Sequence, residues 1–175
     1  MSLQLGGDPA SCSQVGGSLR RIADRLRADA GRVAGEFGEL RGHWSGGASV
    51  RARRRADTLC GVARAAADEL DRAGATLQAH AADVAESAQA LRQVAERAAS
   101  AGLQVAEGEV VPAWGVTGLA DPSRDAQRDD ARIVLQRDLD ILVVQLSRRQ
   151  SRLARAADAA TQALASYAQR LRVGT

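Results

Sequence analysis

Between residues 56 and 98, apolar side chains return every seven positions: Ala56, Ala63, Leu70, Leu77, Val84, Leu91 and Ala98. A second series, Cys60, Ala67, Gly74, Ala81, Ala88 and Ala95, runs beside it and is made entirely of small residues. A seven-residue period belongs to helices that pack along their length, so the stretch predicts one helix from about 48 to 101. The small series admits a neighbour at the short end of the usual interaxial range of about 8–10 Å. Leucines on one flank and small residues on the next describe one arm of an antiparallel hairpin.

The other arm lies upstream. Asp8-Pro9 supplies an N-cap acceptor followed by proline at the first helical position. From there Val15, Leu19, Ile22, Leu26, Val33, Phe37 and Leu40 keep helical spacing to about residue 41. Five glycines, Gly16, Gly17, Gly31, Gly35 and Gly38, fall within this helix, each costing up to about 1 kcal/mol relative to alanine. A helix so rich in glycine must be held by packing. A third helix starts at Asp121-Pro122 and reaches about residue 172, with Leu135, Leu139, Leu142, Leu146, Leu153, Ala160, Leu164, Tyr167 and Leu171 on its apolar side.

At about 1.5 Å per residue, the first helix spans roughly 50 Å and the other two roughly 75–80 Å each. The first cannot cover all of the second, so the third helix or a partner chain must. Charge on the third helix is ordered, with Asp125, Asp129, Asp130, Asp138 and Asp140 in its first half and Arg148, Arg149, Arg152, Arg155, Arg170 and Arg172 in its second. Acids at the start and bases at the end suit the helix dipole only in the terminal turns, and the remaining bias suits an antiparallel neighbour.

Residues 102–120, "GLQVAEGEVVPAWGVTGLA", break the helical pattern with glycines, Pro112 and Trp114. A connection of this length is long for a structureless loop, and Val110, Val111, Trp114, Val116 and Leu119 predict that it packs on its own side chains. Strand-favouring residues are sparse elsewhere, so no sizeable sheet is expected. Alanine leads the composition, and the fold class is all-α.

All 24 basic residues are arginine, balanced by 21 acids spread along the chain, so no segment is a polycation. The densest basic run is Arg51, Arg53, Arg54 and Arg55. It reads either as a patch for an acidic partner or as the solvated first turns of the second helix, where arginine slightly opposes the dipole. It lacks interleaved aromatics, and no nucleic-acid partner is expected. His43 and His80 are the only histidines, and Cys12 and Cys60 sit too far apart in a hairpin to bond. No catalytic site, metal or cofactor is expected, since catalysis and metal binding need clustered groups. Neither an 18-residue apolar run nor a secretion signal is present, so the expectation is a cytoplasmic protein without a membrane span.

Trp44-Ser45-Gly46 falls at the one break between the first two helices, within "RGHWSGGAS". Gly42, Gly46 and Gly47 offer the permissive backbone that reverses the chain, and Trp44 continues the spacing of Phe37 and Leu40. A W-x-G turn between two amphipathic helices resembles the WXG100 (ESAT-6-like) family, helical hairpins handled by type VII secretion systems of actinobacterial type. The resemblance covers residues 8–101.

The resemblance implies a non-enzymatic helical partner or adaptor that bundles with a secreted effector or toxin, with another WXG100-like hairpin, or with itself, and that is exported, if at all, with its partner. On that reading Trp44 and Gly46 shape the hairpin end. The partner surface would comprise Ala67, Leu70, Gly74, Leu77, Ala81, Val84, Ala88 and Leu91. Two features depart from the family. The Y-x-x-x-D/E export signal is missing, since Tyr167 is followed four residues later by Leu171. A third long helix is present, giving a domain plan of hairpin (1–101), connection (102–121) and third helix (122–175). The expected architecture is an elongated antiparallel hairpin plus that helix, closing a three-helix or intermolecular bundle. The alternative is a self-contained helical structural or binding protein that uses its basic surface and is not secreted.

Overall fold

The computed structural model describes residues 8–113 and 122–173. Three long helices carry the fold: α1 (Pro9–Glu39), α2 (Gly47–Ser100) and α3 (Pro122–Val173). A short 3-10 turn, Leu40–Gly42, follows α1. Between α2 and α3 lie two strands, β1 (Leu103–Ala106) and β2 (Glu109–Pro112). Among the described residues the fold is all-α apart from this hairpin, and it divides into two compact units. Among the described residues, one holds 80–152 with Asp8 and Pro9; the other holds 10–79 and 153–173. Both α2 and α3 therefore contribute to each unit.

In the second of these units, α1 runs antiparallel to α2, since Gly16 meets Gly74, Arg20 meets Asp71 and Arg27 meets Asp68. The buried positions of α1 are Gly16, Ala23 and Ala30, a seven-residue series of small residues. In the register set by the Gly16–Gly74 contact, they fall opposite Gly74, Ala67 and Cys60 of α2, all buried. The apolar stripe that the spacing singled out on α1 is not its buried face. Leu19, Leu26 and Phe37 are half-buried and Val15, Ile22, Val33 and Leu40 are exposed, because the close backbone approach takes the seam to the small residues beside the stripe. A Cβ on Gly16 would stand 2.7 Å from the Gly74 carbonyl oxygen, and one on Gly74 would stand 2.6 Å from that of Gly16. Only glycine at both positions permits this crossing.

In the unit holding residues 80–152, α3 runs antiparallel to the second half of α2. Arg97 pairs with Asp138 at 2.8 Å, and Arg149 reaches Asp83 and Glu86. Its core is Val94 and Ala98 of α2, Leu103 and Val110 of the hairpin, and Leu135 and Leu139 of α3. The third helix thus covers part of α2 that α1 is too short to reach.

The connection expected over 102–121 is in part ordered strand. Gly102, at φ +70°, ends α2, and its carbonyl accepts from the Ala113 N–H at 3.0 Å, closing the base of the hairpin. Glu107 and Gly108 have φ +55° and +89°, the two left-handed central residues of a type I′ turn, which suits the twist of a two-residue hairpin. Leu103, Val105, Val110 and Pro112 share one face, and Leu103 and Val110 drive into the core. Trp114, Val116, Leu119 and Asp121 lie outside the described residues.

Candidate partner-binding surfaces

The W-x-G turn is built mostly from backbone. Leu40 accepts from the N–H groups of both His43 and Trp44, and the chain then reverses at Gly46, whose φ is +97°. Gly46 is the glycine of this turn that needs the left-handed region; Gly42 and Gly47 do not adopt it. Ser49, fully buried, donates its hydroxyl to the Gly46 carbonyl at 2.8 Å and accepts from Arg53 Nη2 at 2.8 Å. Trp44 does not close the seam as a buried plug: it is 40% exposed.

The eight residues expected to receive a partner are met by the chain itself. Ala67 is fully buried, Gly74 lies against Gly16, and Ala81 and Val84 are buried. Leu70, Leu77, Ala88 and Leu91 are half-buried. The small flank on α2 does admit a closely packed helix, and over Cys60 to Gly74 that helix is α1. The α1 half of the seam, Gly16, Ala23 and Ala30, was missed because the larger residues beside it carry the stronger periodic signal. Its own seven-residue spacing was the available clue.

Arg51, Arg54 and Arg55 are exposed, whereas Arg53 is half-buried and turns back on the first turn of α2 to hold Ser49. The basic run is therefore partly spent in capping the turn. Along the α1–α2 seam, Arg20 pairs with Asp71, and Arg27 with Asp68 and Asp71. The hydrogen bond to Asp68, against a smaller opposing effect of desolvation, holds the Arg27 guanidinium above its ordinary pKa. Exposed pairs of this kind contribute little each, and their arrangement chiefly guides the antiparallel approach.

His43 is exposed and His80 buried, with no protein partner for His80 Nε2; Cys12 and Cys60 are free thiols. Among the described residues, no group of three or more His, Cys, Asp or Glu is placed to hold a metal ion, and no helix is long and apolar enough to cross a membrane.

One concave feature was not legible in the pattern. In the unit formed by residues 10–79 and 153–173, a groove of about 470 Å³ opens between the helices. Leu19, Leu77, Leu153 and Leu164 stand around it, with alanines between them, among them Ala73, Ala156 and Ala160. Glu69 and Arg72, paired with each other, are its charged members. Alanines on facing helices leave space that larger side chains would fill, and the volume lies in the range of binding clefts. Val15 and Ile22, exposed on α1, flank Leu19 in sequence by one helical turn on either side. No protein-family model, curated protein or solved structure matches this chain.

Proposed function

We propose that this protein is a non-enzymatic helical adaptor of WXG100-like type, serving a type VII secretion system by docking a helical segment of a secreted effector or toxin. The observation that carries the reading is the apolar groove beside the exposed edge of α1. An amphipathic helix from a partner lays its apolar face along Val15 and Ile22 and sends side chains into the space between Leu19, Leu77, Leu153 and Leu164. Recognition of an amphipathic helix by a preformed apolar groove needs no reacting groups. The W-x-G turn supports the family reading by its place between two antiparallel helices. Trp44, exposed beside Leu40, extends the same apolar edge to the hairpin end. The chain's own helices fill the small-residue seam, so docking shifts from Ala67, Gly74 and Ala81 to this outer edge.

Co-expression with helical proteins encoded at the same locus, followed by light scattering of the purified complex, tests the reading. A complex of fixed stoichiometry that Ile22→Asp disrupts is the expected result. A complex indifferent to Ile22→Asp, or a chain that pairs with none of them, removes it.

A further inference from the structure

Helix α3 is apolar on two opposite faces between residues 130 and 148. Leu135, Leu139 and Leu146, all buried, and the half-buried Leu142 form the inner one, with Leu135, Leu139 and Leu142 packed on α2 and the hairpin. On the outer one, Ile133, Val134, Ile141 and Val144 are 62, 53, 47 and 47% exposed. A helix that is apolar all round is ordinarily buried all round. The outer residues alternate in steps of three and four, Asp130, Val134, Arg137, Ile141, Val144 and Arg148, the spacing of a two-stranded seam.

From this ridge we infer that the outer face of α3 is the interface of a two-fold symmetric homodimer, the occupant being an antiparallel α3 from a second copy of the chain. The charges select that occupant. Asp130 and Arg148 lie equally far from Leu139 on either side, and so do Val134 and Val144, and Arg137 and Ile141. A two-fold axis beside Leu139 therefore sets Asp130 against Arg148 of the second copy, twice over, and Val134 against its Val144. Arg137 comes beside the second copy's Ile141 and Asp140. In the parallel in-step alternative Asp130 meets Asp130, Arg137 meets Arg137 and Arg148 meets Arg148, all like charges. Asp130, Arg137 and Arg148 take part in no ion pair among the described residues, so their charges stay available across the interface. A closed two-fold contact is the usual outcome for a patch complementary to itself.

Sedimentation equilibrium of the full chain over a wide concentration range, with circular dichroism to verify the fold, is the test. The wild type dimerises and Ile141→Arg is monomeric with unchanged helicity. Asp130→Arg and Arg148→Asp each weaken the dimer by roughly tenfold, since either change turns two attractive pairs into repulsive ones. The double variant Asp130→Arg/Arg148→Asp regains wild-type association, which only the antiparallel arrangement allows. A wild-type monomer at every concentration, a dimer indifferent to Ile141→Arg, or failure of the double reversal to restore association overturns the inference.

Discussion

The Val110 N–H donates to Gln136 Oε1 at 2.7 Å, fastening the hairpin to the first third of α3. The same amide donates through Nε2 to Asp140 Oδ1 at 2.8 Å and, at 3.4 Å, to the Gly108 carbonyl. One side chain thus satisfies a strand donor and a turn acceptor. Gln136→Ala should cost about 1–2 kcal/mol, a buried donor losing its acceptor, and hydrogen exchange at the Val110 amide should accelerate with little change at distant α2 amides.

Glycines of α1 and α2 divide into two classes. Gly16→Ala and Gly74→Ala each drive a methyl into opposing backbone and should destabilise by about 1–3 kcal/mol despite alanine's better helix propensity. Gly35→Ala and Gly61→Ala meet open space and should stabilise by about 0.5–1 kcal/mol. Urea titrations monitored by circular dichroism measure both; equal effects from the two classes would contradict the close crossing.

At the hairpin end, Gly46→Ala places a Cβ on a backbone at φ +97° and should lose about 1–2 kcal/mol. Gly42→Ala, where no left-handed angle is adopted, should be nearly neutral in the same thermal melts.

Arg149 joins α3 to α2 through the Asp83 carbonyl at 3.0 Å, Ser87 Oγ at 2.8 Å and Glu86 at 3.3 Å. Lysine has no planar fork to reach these acceptors together, so Arg149→Lys should cost about 1–2 kcal/mol in denaturant titrations.

Filling the groove separates packing from binding. Ala160→Leu, on its wall, should raise the melting temperature by a few degrees, about 0.5–2 kcal/mol, while abolishing association with a helical partner. A variant that is stabilised yet binds normally would place the partner elsewhere.

Helix identity was plain in the sequence because Asp8-Pro9, the break at Trp44 to Gly47 and the seven-residue returns on α2 are local signals. Packing direction was less plain. On α1, Val15 and Ile22 look like a core stripe, but Gly16 and Ala23 lie beside them, and backbone contact through small residues draws the neighbour to that side. The hairpin was hidden because "VAEGEV" offers Glu-Gly where Asn-Gly or Asp-Gly would have announced a type I′ turn, and strands of four residues give periodicity too short to stand out. The groove depends on alanines from distant segments, Ala73 and Ala160, meeting in space, which no local pattern records.

The crossing of Gly16 and Gly74 also decides how far α1 can slide along α2. Alanine seams are nearly smooth, and a shift of one heptad still matches small residue to small residue along most of their length. Such a slip would bring Gly16 opposite Ala67 or Ala81, where a methyl would occupy the space of the notch. Two missing side chains therefore act as a detent: they set the single register in which the hairpin closes, and with it the length of chain left over for the turn at Trp44.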